Sequence, residues 1–499
     1  MKIKIPKFNG TAITCLLLVS VGAFFRFNDF QKLVIFYGDL SRDFLTTYKI
    51  IHFHELVWHG PNVSVAWALL SPIYHYLWLP FYLLSNWHPL TQQVTAGLLS
   101  LVALTVLFII TKKMWGVKTA IAAGLIYASS AVVIRENIIG TNPSFVPIGT
   151  FLLIWSLVNV LEGKDKFFPL LMAALGWIIS FHASTFFIIP PLIVVFLIYR
   201  PQIGKRYVFW AAIIFLFLDV IPYGIQEKKH GLYNLVTLYN FFFDRKASSL
   251  QTVGFLESIL NFGAIVWGTP AVVLLPTIGK VGVLKHLVNT AFWLGLALSW
   301  KNFKKLSLPT KTVVALFPLY LLTFGLALKF GTTDRPNWWF GNVVFPLTAI
   351  NAAILLSKIR NRVLLAVLLI VIISSNLISL REFAADQTFG RYAQEKEIAQ
   401  QVLTNANSAN FNLKYIYKGV DENGAQGPFA YLFWYFDQPR FSDKYFRWLN
   451  WQKPPADFPL YLVFQETSPS GKEAWLNKYV DRNIEIIKKT NFYEIYKAE

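Results

Sequence analysis

The chain has 499 residues, of which 55% are hydrophobic, 17% aromatic and only 15% charged, and its mean hydropathy is +0.46. A soluble protein carries about a quarter charged residues, so this composition excludes a soluble globular protein and indicates a polytopic membrane protein. The net charge of +19 would suit a nucleic-acid binder. Its Lys and Arg residues collect in short loops between apolar runs, however, as in membrane proteins, so we expect no nucleic-acid partner.

Eleven apolar runs predict an all-α polytopic fold with about eleven transmembrane helices. The first has a basic start but no small-residue cleavage site before FFRFNDF (24–30), which predicts an uncleaved anchor. The single cysteine, Cys15, lies in this run and has no intramolecular disulfide partner. The predicted spans are 11–27, 92–110, 119–134, 144–161, 167–181, 184–199, 207–223, 284–300, 312–329, 338–357 and 362–380.

The distribution of basic residues predicts a cytoplasmic N-terminus in a cell membrane. With that orientation every predicted inner segment is basic, and together these segments hold 18 Lys and Arg residues. The unusual polar residues then fall outside, so we expect any chemistry on the extracytoplasmic face. The predicted outer segments are 28–91, 135–143, 182–183, 224–283, 330–337 and the tail from 381.

Two outer segments are apolar yet interrupted. VAWALLSPIYHYLWLPFYLLSNW (65–87) is rich in aromatic residues and contains Pro72 and Pro80, which predicts interfacial helices in the first outer loop, with a twelfth crossing as the alternative. Residues 252–283 contain several Gly and Pro residues and predict a re-entrant or peripheral hairpin.

The composition changes at residue 381. We therefore divide the chain into a transmembrane domain, residues 1–380, and a small extracytoplasmic α/β domain, residues 381–499. A helix is predicted over 390–406. Short strands are predicted in KYIYKGV (414–420), AYLFWYF (430–436), PLYLVFQ (459–465) and NFYEIYK (491–497).

The stretch FYGDLSRDF (36–44) places two acids just after the first predicted span. Asp39 and Asp43 are four residues apart and would share a helix face, with Arg42 beside them. Carboxylates beside a bilayer need water or a partner and are often functional. The structural alternative is that Asp39 caps a short helix and Arg42 neutralises it. The sequence has no His/Cys cluster and no D-x-D motif, so no cofactor is assigned. A divalent cation is the single cofactor that stays open, because isolated carboxylates do not identify a metal.

Five stretches follow one another along the chain: GDLSRDF (38–44), HGPNVSVAWALLSPIYHYLWLPF (59–81), RENIIGTNPSFVP (135–147), SFHASTFFIIPPL (180–192) and IPYGIQEKKHGLYN (221–234). In this order and spacing they resemble the membrane-embedded GT-C glycosyltransferases, above all the dolichyl-phosphate-mannose protein mannosyltransferase and aminoarabinose-transferase group. The resemblance covers about residues 10–380. In one departure, Leu40 follows Asp39 where the family has a second acid.

The resemblance implies an enzyme that moves a sugar from a polyprenyl-phosphate donor to an acceptor hydroxyl, with inversion. The acceptor would be a glycan, a lipid or a protein. Asp39 matches the family's catalytic acid and is the expected base, while Asp43 offers a second acid from the next helical turn. Arg42 is expected to contact the substrates beside them.

The departing phosphate needs positive charge, and each candidate has a plainer alternative. The candidate cations are Arg335, Arg135, Lys228 and His182, for which interfacial anchoring or snorkelling is the alternative. Further substrate-binding candidates are Glu136, Glu227 and Tyr74. Glu227 would orient a partner, and a solvated loop acid is its alternative. Tyr74, with Trp78, would line a sugar or lipid groove, and an aromatic belt is the alternative for both.

A transporter or flippase of lipid-linked glycans is the alternative function. It would need charged or broken helices at the membrane midplane and usually internal repeats. This sequence keeps its charges near the ends of the predicted spans and shows no repeat. A non-enzymatic membrane scaffold also stays open.

Overall fold

The computed structural model describes residues 10–28, 30–36, 38–61, 69–243, 255–277, 282–328, 343–385, 392–407, 411–417, 420–421, 429–436, 459–465, 467–490 and 493–499. Most of these residues are helical. The helices are α1 Gly10–Phe27, α2 Phe30–Leu33, α3 Gly38–His52, α4 Ile73–Leu84, α5 Thr91–Trp115, α6 Val117–Ser129, α7 Ala131–Ile139, α8 Val146–Leu161, α9 Phe168–Phe181, α10 Ile189–Tyr199, α11 Lys205–Phe215, α12 Ile221–Lys229, α13 Tyr233–Phe243, α14 Phe255–Leu274, α15 Gly282–Lys301, α16 Leu308–Leu328, α17 Val344–Ser357, α18 Arg362–Ala385, α19 Tyr392–Ala406, α20 Phe429–Phe436 and α21 Pro469–Leu476.

The chain divides into two compact units. The first unit consists of Met1–Asn28, Val57–Tyr74 and Thr95–Arg381, and the second unit of Asp29–Leu56, His75–Val94 and Glu382–Glu499. Two segments of the predicted first outer loop therefore belong to the same compact unit as the C-terminal residues. The sequence division at residue 381 stays a prediction.

The helices of the first unit are those of a multi-pass membrane protein. Among the described residues, five helices are long and apolar enough to cross a membrane, or six if one bent pair counts as a span. A helix is found within each of the eleven predicted spans, but the count of eleven crossings stays a prediction. The five are Gly10–Phe27, Thr91–Trp115, Asn142–Leu161, Lys205–Lys229 and Arg362–Ala385, and the bent pair is Val117–Ser129 with Ala131–Ile139.

The first unit is most deeply buried along α6, α7, α8 and α17, where most residues are buried. Small residues let neighbouring helices approach closely, as is usual between membrane helices. At Gly124 of α6, a Cβ atom would lie 2.8 Å from a methyl group of Leu18 in α1. A larger residue at Gly124 would therefore require the Leu18 side chain to move.

The first interrupted segment, 65–87, contains a short helix, α4, as predicted, whereas the second differs from its interpretation as a hairpin. Pro80 lies inside α4 and Pro270 inside α14, so neither proline ends its helix. Residues 255–274 form one helix instead of the two arms of the predicted hairpin. The amide of Ala271, one residue after Pro270, donates a hydrogen bond of 2.9 Å to Oδ1 of Asn289 in α15.

The second unit contains a five-stranded mixed sheet of order β2-β1-β3-β5-β4. Strand β1 is parallel to β3, with Leu413 opposite Tyr461, and β5 is antiparallel to both β3 and β4. Its core comprises Ile416, Leu460, Leu462, Phe464, Tyr496 and Ala498. The strands are β1 Asn412–Tyr417, β2 Val420–Asp421, β3 Leu460–Gln465, β4 Ile484–Lys489 and β5 Tyr493–Ala498.

The prediction for AYLFWYF (430–436) was wrong, because this stretch lies in helix α20. Aromatic residues favour strands only where they pack on a pleated surface. Here they pack around a short helix, with Phe429, Tyr431 and Phe433 all buried. Strand β4, IEIIKK, was not predicted; it is an edge strand whose side chains are mostly exposed or half-buried.

Candidate functional site

Helix α3 carries the two predicted catalytic acids. It begins at Gly38, so Asp39 lies in the first turn, and Lys49 and His52 lie in the last. Acids near a helix N-terminus and bases near its C-terminus both stabilise the helix through its dipole. The sequence therefore favours a helix at this place, with an acid near its start.

Arg42 joins the two acids. Its Nη1 donates a hydrogen bond of 2.8 Å to Oδ1 of Asp39, while Nε and Nη2 donate to Oδ1 of Asp43 at 3.0 and 2.8 Å. The predicted grouping of the two acids and the arginine on one part of the helix is thus present. Charge-assisted hydrogen bonds of this kind fix orientation as well as adding energy.

The two acids differ in exposure. The side chain of Asp39 is 48% exposed and that of Asp43 is 0% exposed, with Arg42 between them at 38%. Of the two carboxylates, Asp39 can meet a substrate from solution without a change in structure. Its placement in the first helical turn, paired with Arg42, also agrees with the structural alternative.

Aromatic side chains enclose Asp43. The neighbouring Phe44 is fully buried, and its ring contacts Tyr82 and Trp87 edge-on with centroids 5.8 and 5.9 Å apart. Burial, with the Asp43 carboxylate as a second cause, holds the pKa of the Tyr82 phenol well above its usual range. Among the described residues, the buried hydroxyl of Tyr82 has no hydrogen-bond partner. Asp43 is therefore buried beside an aromatic cluster that includes Tyr82.

In the first unit, three predicted stretches meet around Phe181. The ring of Phe181 stacks on Phe145, with centroids 4.7 Å apart, and contacts Tyr74 at 6.5 Å. Nδ2 of Asn142 donates a hydrogen bond of 2.6 Å to the carbonyl of Phe181. Tyr74 is fully buried in this packing, so its predicted role in lining a groove stays a prediction.

His182 follows directly and is oriented by Ser184. Its Nδ1 accepts a hydrogen bond of 3.2 Å from the Ser184 amide and lies 2.7 Å from the Ser184 hydroxyl. A neutral imidazole that accepts at Nδ1 carries its proton on Nε2. Tyr320 supports this turn, since its hydroxyl donates a 3.1 Å hydrogen bond to the Ser184 carbonyl. His182 can therefore act as a donor without being charged.

The other candidates have different settings. Arg135 is half-buried and Glu136 buried, both in α7, and in the described part of the chain Oε2 of Glu136 has no hydrogen-bond partner. Glu227 accepts hydrogen bonds from the amides of Asn234 and Leu235, which is a structural role between α12 and α13. Lys228 is exposed. Arg335 lies outside the described residues.

Sequence reasoning missed two buried charged residues in candidate spans. Arg26 is fully buried near the end of α1. Asp219 is buried in a π-helical segment, Leu216–Val220, between α11 and α12. Ser180 donates a 3.1 Å hydrogen bond to Asp219, whose Oδ2 lies 2.3 Å from where a Cβ on Gly176 would be. The signal was available in the sequence, because an ionisable residue within an apolar run is expensive and rarely accidental.

The acids of α3 do not form a ready cation site. Asp39 and Asp43 already accept hydrogen bonds from Arg42, whose positive charge would repel a metal ion at the same oxygens. No group of three or more His, Cys, Asp or Glu side chains suited to a metal occurs among the residues that the structure describes. Among the described residues, the structure therefore shows no ready site for the divalent cation that the sequence left open.

No family model matches the sequence, and no curated protein matches it. Solved structures do. ArnT from Cupriavidus metallidurans, bound to undecaprenyl phosphate, superposes with a TM-score of 0.60 at 11% identity over 97% of each chain. Its apo state gives 0.62 at 12% identity over 98% of each chain. The archaeal oligosaccharyltransferase AglB from Archaeoglobus fulgidus, in complex with an inhibitory peptide and a dolichol-phosphate, gives 0.51 at 10% identity, over 91% of this chain and 69% of that one.

These similarities establish the fold. The chain shares its fold with these structures over nearly its whole length, and at the level of fold the resemblance to GT-C glycosyltransferases inferred from the sequence is confirmed. The likeness extends past residue 380 into the C-terminal residues, which the sequence resemblance had not covered. At identities of 10–12% the similarity concerns fold, and function has to be argued from the site.

Proposed function

We propose that the protein is a membrane glycosyltransferase that moves a sugar from a polyprenyl-phosphate donor to an acceptor hydroxyl on the extracytoplasmic face, with inversion and with Asp39 as the base. One observation carries the proposal: a half-exposed carboxylate is held by Arg42 on a helix just after the first apolar helix of a GT-C fold. The ArnT structure with undecaprenyl phosphate supports a lipid-linked donor.

The proposed chemistry needs a base near the acceptor. An alcohol is a weak nucleophile, so the Asp39 carboxylate takes its proton as the oxygen attacks the anomeric carbon. The bond between that carbon and the phosphate oxygen breaks, and the lipid phosphate leaves with the electron pair. Attack from the face opposite the leaving group inverts the sugar. Arg42 orients Asp39, and Asp43 anchors Arg42 from the buried side.

The leaving phosphate acquires negative charge and needs donors aimed at it. Arg135, Lys228, His182 and Arg335 remain the candidates. His182 is the best defined, because Ser184 fixes its ring and leaves the proton on Nε2. Glu136, whose carboxylate has an oxygen without a partner in the described chain, is the candidate to position a neighbouring cation or a sugar hydroxyl.

A lipid-linked donor fits the sequence better than a soluble nucleotide sugar. No Gly-rich phosphate loop follows a strand, and the predicted inner loops are too short for a nucleotide-binding domain. The AglB structure contains an inhibitory peptide. A protein is therefore one acceptor class to test, beside glycans and lipids.

The test is a transfer assay with purified protein in lipid bilayers. It is supplied with radiolabelled polyprenyl-phosphate sugars and, separately, with a glycan, lipid or protein fraction of the membrane. We expect label in one acceptor fraction and free lipid phosphate as the second product. Efficient transfer from a nucleotide sugar in the absence of lipid would contradict the proposal of a lipid-linked donor. Movement of the intact lipid-linked sugar across the bilayer, without transfer, would favour a flippase.

A further inference from the structure

Within the second unit, helix α3 is stacked on helix α20. The rings of Phe44 and Tyr431 lie face to face, with centroids 3.6 Å apart and planes 6° apart. Both side chains are at most 1% exposed. Phe44 is adjacent to Asp43 in the chain, so the stack joins the C-terminal part of the protein directly to the acid-bearing helix.

Tyr431 also holds the turn that follows α4. Its hydroxyl donates a hydrogen bond of 2.8 Å to the carbonyl of Trp87. Asn86 and Trp87 both have positive φ angles, 51° and 58°, which are uncommon for residues other than glycine. Such a conformation persists only where surrounding contacts hold it. Tyr431 thus connects α3 through its ring and this turn through its hydroxyl.

Other C-terminal residues contact the same region. The Trp434 ring lies 4.9 Å from Phe44 and 5.1 Å from Tyr48. Just before α3, the amide of Tyr392 donates a hydrogen bond to the Val34 carbonyl at 3.3 Å. The contacts therefore reach residues before α3 as well as the aromatic face of α3 itself.

This packing fixes the rotation of α3 about its axis. Phe44 and Tyr48 are four residues apart and share one face of the helix. With that face against Tyr431 and Trp434, Asp43 is fully buried while the Asp39 side chain is 48% exposed. A small rotation of α3 would change the exposure of both acids and the geometry of Arg42 between them.

We propose that Tyr431 is a positioning residue, and that α20 is part of the scaffold that presents the Asp39–Arg42–Asp43 group. The C-terminal residues then serve catalysis by holding α3, whatever acceptor the protein uses. This inference rests on the proposed function for its kinetic consequence only, because the holding of α3 can be measured without any substrate.

The experiment compares three variants of the full-length protein. Tyr431→Leu removes the stack and the hydroxyl, Tyr431→Phe removes the hydroxyl alone, and Phe464→Leu removes a buried aromatic ring from the sheet core of the same unit. Two quantities are measured in each: amide hydrogen exchange of residues 38–52, and kcat and KM for sugar transfer. Melting temperatures show how far each variant is destabilised.

For Tyr431→Leu we expect amide exchange in α3 to accelerate about 10-fold or more, because opening is controlled by local contacts. We expect kcat to fall by about 10- to 100-fold with little change in KM, since misplacement of a base by about 1 Å has effects of that size. Tyr431→Phe should fall between Tyr431→Leu and the wild type. Phe464→Leu should lower the melting temperature about as much as Tyr431→Leu does, but it should change kcat less than about threefold.

The outcomes separate this inference from the proposed function. If α3 exchanges at the wild-type rate in Tyr431→Leu, or if Phe464→Leu reduces kcat equally, Tyr431 is not a positioning residue. If the wild-type protein transfers no sugar while exchange in α3 still accelerates selectively in Tyr431→Leu, the holding role stands and the proposed reaction is wrong.

Discussion

Arg26 donates a hydrogen bond of 3.1 Å from Nη1 to the backbone carbonyl of Ala128. Ala128 is near the end of α6, where helix carbonyls lack partners in their own helix. The same guanidinium donates to the Gly22 carbonyl at 3.0 Å and to the Ser100 hydroxyl at 2.9 Å. A buried cation is therefore stabilised by neutral acceptors and by the negative end of a helix dipole.

On the other side of this break, Asn376 completes the arrangement. The chain bends by 56° between α6 and α7, and the Ala131 amide at the start of α7 donates a 2.8 Å hydrogen bond to Oδ1 of Asn376. Backbone groups freed by a break inside a membrane must find partners within the protein. Side chains from α1 and α18 thus form hydrogen bonds with the backbone groups on the two sides of one bend. The helix that follows the bend, α7, contains Arg135 and Glu136.

Removal of either side chain should destabilise the protein. Arg26→Met leaves the Ala128 carbonyl without this donor, and Asn376→Leu leaves the Ala131 amide without its acceptor. Each should lower the free energy of unfolding by about 1–3 kcal/mol. Because both residues hold the same bend, the double variant should be less destabilised than the sum of the single effects.

The measurement is thermal unfolding of the purified protein in detergent, for the two single variants and the double variant. Arg26→Lys is the matched control, since it keeps the charge but loses the forked geometry of the guanidinium; it should fall between the wild type and Arg26→Met. Strictly additive losses would show that Arg26 and Asn376 act independently of each other.

The sequence could predict what depends on local pattern. The eleven apolar runs contain helices, and the spacing of Asp39, Arg42 and Asp43 put all three on one helical segment. The sequence could not predict the bend between α6 and α7, because residues 119–134 have the pattern of a single straight span. There is no Pro or Gly at that point, and the partners of the freed backbone groups are 102 and 245 residues away.

The same reason explains the errors in the second unit. AYLFWYF has the aromatic content of a strand, but it forms a helix whose Tyr431 stacks on Phe44 of α3, far away in the sequence. The grouping of Asp29–Leu56 and His75–Val94 with the C-terminal residues depends on contacts between positions more than 300 residues apart. Local hydropathy contains no information about such contacts.

A pH dependence is expected from Glu395 in α19. Its carboxyl is fully buried, and burial raises its pKa to about 8, against a smaller opposing effect of the Tyr415 hydroxyl. The folded protein therefore keeps a proton on Glu395 that the unfolded chain loses above its ordinary pKa of 4.5. Stability should fall as pH rises from about 4.5 to about 8, by at most ~1.4 kcal/mol per pH unit, and should not change further above that.

Melting temperatures of the full-length protein between pH 5 and pH 9 check this, with Glu395→Gln as the matched variant. Glutamine keeps the shape of protonated glutamate but does not titrate. The difference in melting temperature between the variant and the wild type should therefore grow in favour of the variant as pH rises. A constant difference across this range would show that Glu395 does not titrate as its burial implies.

The orientation in the membrane can be tested with a single new cysteine. Val480 is 72% exposed in the second unit, and the natural Cys15 can be replaced by serine so that only one thiol remains. With the N-terminus cytoplasmic, a cysteine at position 480 should react with a membrane-impermeant maleimide in intact cells. Labelling only after permeabilisation would reverse the topology and place Asp39 on the cytoplasmic face.

The two acids of α3 should differ in their effect on sugar transfer. Asp39→Asn keeps the size of the side chain and can still accept a hydrogen bond from Arg42, but an amide is a much poorer base. If Asp39 takes the acceptor proton, sugar transfer in a single turnover should fall by about 10²- to 10⁴-fold. The melting temperature should change little, because a half-exposed ion pair contributes about 0–1 kcal/mol.

Asp43→Asn is the matched control and should behave in the opposite way. Asp43 is fully buried and accepts two hydrogen bonds from Arg42, so loss of its charge should lower stability more than Asp39→Asn does. Its effect on transfer, measured at a temperature where all proteins are folded, should be the smaller one, since its carboxylate is enclosed by Phe44 and Tyr82. If Asp39→Asn transfers sugar at the wild-type rate, Asp39 only supports the helix, because asparagine caps a helix as well as aspartate. A larger kinetic loss at Asp43 than at Asp39 would instead move the base one helical turn along α3 and require α3 to open before the acceptor can bind.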